Sequence, residues 1–197
     1  MQERQVNNMT KNILLVGVGG QGTILASKLL TTGLMQEGYD VKMSEIHGMS
    51  QRGGNVSSQV RYGDRVESPV IELGTADVIV AFEKMEAIRA LEYLKPSGLV
   101  VVNNFEIESM PILSGKFDYP GNVIETLESK VRTIVVDASQ KAEELGNSKV
   151  MNIILLGTII KSMQLEHINW ENIIRENVKP AFVEINIKAL ELGKTLV

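Results

Sequence analysis

Asn12-Ile13-Leu14-Leu15-Val16-Gly17-Val18-Gly19-Gly20-Gln21-Gly22 is the stretch that decides the fold. Asn12 to Val16 reads as a strand buried on both faces, because an apolar run without alternation is stopped by glycine. Gln21 to Glu37 follows as a helix, with Ile24, Leu25, Leu29, Leu30 and Leu34 forming one apolar stripe. Gly38 suits the position just past the helix end. Val41 to Ile46 is a second strand, so residues 12–46 are expected to form a βαβ unit.

The same alternation continues outward. Val56 to Tyr62 places Val56, Ser58, Val60 and Tyr62 on one side, as in a more exposed or antiparallel strand. Gly63-Asp64 signals a turn, and Val66 to Ile71 is expected to pair back as a hairpin. Asp77 to Phe82 is another buried strand, Lys84 to Leu94 a helix and Leu99 to Val102 a strand. Phe105 to Asn122 carries two prolines and two glycines and reads as an irregular excursion with one short strand at most. A short helix (Val123–Leu127), a strand (Val131–Val136) and a helix (Ala138–Leu145) follow. Val150 to Met163 is a buried helix whose cover comes from the chain's own core or from another subunit. Trp170 to Asn177 is short and amphipathic, and Pro180 opens a last helix to about Leu192.

Strands that alternate with helices predict an α/β fold. The expectation is a Rossmann-like three-layer sandwich, a mostly parallel sheet with helices on both faces. Residues 1–10 are expected to be a flexible N-terminus and residues 11–197 a single domain. Ligands of such sheets meet the loops at the carboxyl ends of the strands.

Composition narrows the function. The chain has 197 residues, 44% hydrophobic and 22% charged, the profile of a globular protein. A net charge of -4 leaves no basic footprint for nucleic acid. No secretory signal is read in residues 1–10, and the longest apolar run is too short for a membrane span, so a cytoplasmic location is expected. Cysteine is absent and histidine occurs twice, which argues against disulfides, thiolate metal sites, cysteine nucleophiles and cysteine-held iron–sulfur clusters.

Two glycine loops carry the candidate chemistry. Gly17-x-Gly19-x-x-Gly22, with Gly20 and Gln21 between, has the spacing of a dinucleotide fingerprint and the strand–turn–helix context it needs. The plain alternative is a tight, closely packed turn without a ligand. Glu45 lies near the place of a ribose-binding acid, but the second loop follows at once. No Gly-Lys-Ser/Thr follows the turn, so a nucleotide-triphosphate loop is not supported. The second loop is His47-Gly48-Met49-Ser50-Gln51-Arg52-Gly53-Gly54. Arg52 offers a fork of donors for carboxylate or phosphate, or an interface ion pair. His47 is either an acid/base group or a residue that orients its own loop. Ser50 and Gln51 are suited to a ligand or to the backbone. Glu83, just past a strand on the same edge, either pairs with Arg52, marks the site or begins the next helix. Asn103 and Asn104 line the crevice or form a turn.

Taken together these segments resemble a known family. They are Gly-Val-Gly-Gly-Gln-Gly (17–22), Ile-His-Gly-Met-Ser-Gln-Arg-Gly-Gly (46–54), Val-Arg-Tyr-Gly (60–63), Ser-Pro-Val-Ile (68–71), Ala-Asp-Val-Ile-Val-Ala-Phe-Glu (76–83) and Lys-Val-Met-Asn…Leu-Gly (149–157). Together they are similar to the gamma-type domain of 2-oxoacid:ferredoxin oxidoreductases, and the second segment is most similar to the indolepyruvate type, in its beta subunit. The resemblance implies oxidative decarboxylation of a 2-oxoacid to its acyl-CoA, with electrons passed to ferredoxin. It places thiamine diphosphate, Mg and iron–sulfur clusters on a large alpha subunit and makes coenzyme A the co-substrate. This chain would then bind no cofactor, have no catalytic residue of its own and be inactive alone. The glycine loops would face a ligand or the partner. A homodimer of the isolated chain is compatible with this. The alternatives are an autonomous dinucleotide-binding domain and a purely structural subunit.

Overall fold

The computed structural model describes residues 10–48 and 54–197. Its elements run β1 (Lys11–Val18), α1 (Thr23–Gln36), β2 (Asp40–His47), β3 (Asn55–Gly63), β4 (Ala76–Ala81), α2 (Lys84–Ala90), β5 (Leu94–Asn103), α3 (Met110–Leu113), α4 (Val123–Lys130), β6 (Thr133–Val136), α5 (Ala138–Glu144), α6 (Met151–Ser162), α7 (Trp170–Asn177) and α8 (Val183–Lys194). The six strands form one sheet in the order β2-β3-β1-β4-β5-β6. β1, β4, β5 and β6 are parallel, and β3 runs antiparallel to both its neighbours. The α/β three-layer expectation therefore holds, with the parallel part in β1 to β6 and a reversed strand beside it.

Both faces carry helices because the central strands are apolar on both sides. Ile13, Leu15, Val78 and Val80 join the larger core with α1 and α5 to α8. Leu14, Val16, Ile79 and Ala81 join the smaller core under α2 and α4. Residues Met151 to Ile160 of α6 are all buried. Their cover comes from inside the chain, from α1, α5, α8 and β4. The α6–α8 crossing is close because Gly157 and Gly193 meet there. A Cβ on Gly193 would stand 2.0 Å from the Ile154 carbonyl oxygen.

The simple βαβ unit is corrected. β2 does not pair with β1; β3 lies between them, in ladders from Lys11↔Tyr62 to Val18↔Asn55 and from Asp40↔Gly63 to His47↔Val56. β3 is also not exposed: Ser58 and Val60 are fully buried and Gln59 is nearly so. The expected hairpin at 66–71 is corrected too. That segment lies against β3 without forming a strand, because side chains hold it. Gln59 Oε1 accepts from the Ile71 amide (2.6 Å), Asp40 Oδ2 accepts from the Val66 amide (2.8 Å), and Arg61 Nη1 donates to the Ser68 and Val70 carbonyls (2.9 and 3.0 Å). In 105–122 the short element is the helical turn α3 rather than a strand.

Candidate functional site

The carboxyl ends of β1, β4, β5 and β6 converge on one edge, and β3 starts there because it is reversed. The glycine turn between β1 and α1 occupies the middle of this edge. Two of its amides already have backbone partners. Gly19 N–H donates to the Gly54 carbonyl (2.8 Å) and Gln21 N–H to the Val18 carbonyl (3.2 Å). The Gln21 side chain folds back into the turn. Its Oε1 accepts from Val18 N–H at 2.7 Å and its Nε2 donates to the Phe82 carbonyl at 2.9 Å.

Gly17 and Gly22 have packing reasons. A Cβ on Gly17 would come within 2.9 Å of both Gln21 Oε1 and Phe82 Cβ. Gly22 has a left-handed φ of 82° and lies against Asn152, whose Nδ2 donates to the Gly22 carbonyl at 3.1 Å. Glu45 sits on β2, separated from β1 by β3, and accepts from Ser27 Oγ at 2.9 Å. It is therefore not beside the turn, where a ribose acid would have to be.

The base of the second loop adjoins this turn. His47 is exposed at the end of β2, opposite Val56. Gly48 N–H donates to the Asn55 carbonyl at 3.0 Å, and Gly54 accepts from Gly19 as above. The roles expected of Ser50, Gln51, Arg52 and Gly53 lie outside the described residues, as does any pairing of Arg52 with Glu83. The structure thus brings Gly17, Gly19, Gly20, Gln21, Gly22, Gly48 and Gly54 to one edge, with His47 at its rim.

Glu83 begins α2, one of the readings open from sequence. It is 1% exposed. Oε2 caps the helix by accepting from Glu86 N–H (3.0 Å), while Oε1 accepts from Tyr119 O–H (2.5 Å) and Ile107 N–H (3.4 Å). A buried carboxylate is costly unless donors surround it, and two of the three here come from the excursion 105–122, which Glu83 thereby holds down. Burial, then the Glu83 carboxylate, pushes the Tyr119 phenol well above its ordinary range. Glu86, one turn on, is also buried, and desolvation raises its pKa although Arg89 lies against it.

Asn103 is fully buried rather than lining an open crevice. Its Nδ2 donates to the Phe82 carbonyl (3.2 Å) and to Ser139 Oγ (2.9 Å). The Phe82 carbonyl thus receives both Gln21 and Asn103 and links β1, β4, β5 and α5. Asn104 Nδ2 reaches Asp137 Oδ1 at 3.0 Å.

A cleft of about 570 Å³ opens beside the turn, between α2 and the excursion, lined by Val18, Asn55, Glu83, Arg89 and Tyr119 among others. Sequence reading missed Tyr119, Glu86, Arg89 and Asn152 as members of this region. Only the 149–157 segment pointed to one of them. Among the described residues no group of three or more His, Asp or Glu side chains could hold a metal ion. Iron–sulfur clusters take thiolate ligands, and a chain without cysteine does not fit them. In the glycine turn the amides of Val18, Gly19 and Gln21 are bonded within the chain and are not free for a diphosphate.

A reversed strand inside an otherwise parallel sheet, with a glycine turn filled by its own glutamine, makes this an α/β sandwich domain of Rossmann-like class. The family described as pyruvate ferredoxin/flavodoxin oxidoreductase matches residues 12–196, and the chain belongs to it. Over almost its whole length it is similar to indolepyruvate oxidoreductase subunit IorB. The Pyrococcus horikoshii relative is 38% identical, covering 92% of this chain and 93% of that protein. The Archaeoglobus fulgidus relative is also 38% identical, with 94% of each covered. The fold is shared with the gamma subunit of a keto/oxoacid ferredoxin oxidoreductase from Geobacter sulfurreducens. That likeness has a TM-score of 0.68 at 24% identity and covers 93% of this chain and 95% of that one.

Proposed function

We propose that this chain is the subunit without cofactors of an indolepyruvate (aryl 2-oxoacid):ferredoxin oxidoreductase. The complex would convert a 2-oxoacid and coenzyme A to acyl-CoA with electrons passed to ferredoxin. The observation that carries the reading is the 38% identity to the Pyrococcus horikoshii subunit across nearly both full lengths. The site agrees in kind. Gln21, Glu83 and Asn103 are used to hold backbone and neighbouring segments, which suits a scaffold better than a reacting centre. Thiamine diphosphate, Mg and the clusters belong on a large alpha partner, and the chain alone is inactive. The plugged turn and the displaced Glu45 speak against an autonomous dinucleotide-binding domain. No helix among the described residues is long and apolar enough to cross a membrane, and we place the complex in the cytoplasm.

Co-expression with a cysteine-rich, thiamine-dependent partner tests this. Viologen reduction that needs indolepyruvate and coenzyme A should appear in the complex and not in either chain alone. If the chain binds no such partner, or if it alone takes up NAD(P)H at micromolar concentration, the reading fails. Arg52→Ala then separates roles within the complex. Lost assembly with normal Michaelis constants assigns the loop to the partner, and the reverse assigns it to a ligand.

A further inference from the structure

The opposite edge of the sheet, where β1, β4, β5 and β6 begin, holds a recess of about 500 Å³. Lys11 of β1, Lys95 of β5, Arg132 just before β6 and Lys161 of α6 all line it, against one acidic side chain, Asp77, with Val197 also in the lining. The chain as a whole is negative, at -4, so four cations from four elements in one concavity run against its overall sign. Asp77 contacts Lys95, stands 3.9 Å from Lys11 and accepts from the Asn12 amide at 2.8 Å. Lys161 reaches Glu166 at 2.8 Å. These two acidic side chains do not match the four cations, and Arg132 makes no side-chain hydrogen bond or ion pair with another described residue.

The rest of the lining is polar where it meets α6. Ser162 Oγ is buried and has no hydrogen-bond partner among the described residues. Gln164 follows at the helix end with φ 57°, the one described non-glycine residue with a left-handed backbone. Its amide donates to the Lys161 carbonyl (3.2 Å) and that of Leu165 to the Ile160 carbonyl (2.9 Å), a closure that usually takes glycine.

We propose that this recess binds a small polyanion, a metabolite carrying phosphate groups or several carboxylates. A planar guanidinium matches two oxygens of one such group, and lysines act as point charges on others. A single carboxylate would leave most of the positive charge unanswered. The volume lies within the range of small-molecule sites. The inference does not depend on the subunit reading and concerns the edge away from both glycine loops.

The test uses the full chain, with pyrophosphate and citrate as probes and sodium chloride of matched ionic strength as the reference. Thermal unfolding and titration calorimetry should show stabilisation beyond the salt reference and a sub-millimolar Kd for at least one probe. Preference for pyrophosphate or for citrate identifies the source of the charge, and either supports the site. Arg132→Gln should weaken binding about tenfold, as expected when one charge-assisted contact is lost. Lys161→Gln should do the same, and provides the measurement if Arg132→Gln is poorly folded. Lys28→Gln, on the exposed side of α1, removes the same charge elsewhere and should bind like the parent. Stabilisation no greater than that by salt overturns the proposal. So does equal weakening by Lys28→Gln, or unchanged binding in both the Arg132→Gln and the Lys161→Gln variants.

Discussion

Replacing Gln21 by alanine should destabilise the chain by about 2–4 kcal/mol. Two hydrogen bonds disappear, the one Gln21 Oε1 accepts from Val18 N–H and the one Gln21 Nε2 donates to the Phe82 carbonyl. The losses are unequal. The Phe82 carbonyl keeps Asn103. Val18 is 7% exposed and its amide would be left without an acceptor, which costs about 1–3 kcal/mol for a buried donor. The vacated volume beside Gly17 adds about 1 kcal/mol of lost packing, and the smaller side chain offsets a few tenths through entropy. Urea unfolding with linear extrapolation reads the difference directly, provided the slope is unchanged. Against a total stability of about 5–15 kcal/mol this is a large fraction. Gln21→Glu is the informative companion. It keeps the acceptor for Val18 but turns a second oxygen towards the Phe82 carbonyl, so it should be no more stable than the alanine variant. If Gln21→Ala unfolds within about 0.5 kcal/mol of the parent, the reasoning is refuted. The inward amides would then be satisfied by water, and the turn would be open to a ligand after all.

Gly193→Ala places a methyl 2.0 Å from the Ile154 carbonyl. A helix-propensity gain of about 1 kcal/mol should be outweighed by forced separation of α6 and α8, lowering Tm by several degrees; a higher Tm would contradict the close crossing. Desolvation raises the pKa of Glu86 above its ordinary 4.5, so the folded state binds the extra proton. Its contribution is therefore fully present below about pH 4.5 and is lost as pH rises through the raised value. Glu86→Gln should flatten that part of the stability–pH curve and stabilise the chain at neutral pH, which thermal melts across pH will show. Tyr119→Phe removes the shortest donor to buried Glu83 and should cost about 1–3 kcal/mol. Hydrogen exchange should speed up in residues 105–122 first; unaltered protection there would mean that Glu83 does not hold the excursion.

The elements were legible where pattern and environment coincide. Ile13 to Val16 and Val78 to Phe82 are apolar without alternation and became central strands. Trp170 to Asn177 came out at the same boundaries. Strand order was not legible, because nothing in β3 says which neighbour it will choose. Val56 to Tyr62 reads as a more exposed or an antiparallel strand; it is antiparallel, and it can be buried because the Gln59 amide group answers the Ile71 N–H. For the same reason 66–71 looked like a hairpin partner. The polar atoms that satisfy it come from the side chains of Arg61 and Asp40 instead of a ladder. At the site, the glycine spacing was readable, but it allows a ligand and a plug equally. Only the fold-back of Gln21 distinguishes them. Glu83 was placed on the correct edge, while its partner Tyr119 lies 36 residues away in a segment without periodicity.

The reversed strand β3 has a kinetic and entropic consequence. β2 and β3 are neighbours in sequence as well as in the sheet, and Gly48 and Asn55 at their junction are already hydrogen-bonded. The β1–β3 ladder, by contrast, joins Lys11 to Tyr62 across the intervening helix. Loop closure costs more for the longer span, so the local β2–β3 ladder is the less expensive pairing and presents β1 with a ready-made edge, while the long-range pairing sets the slower step of folding.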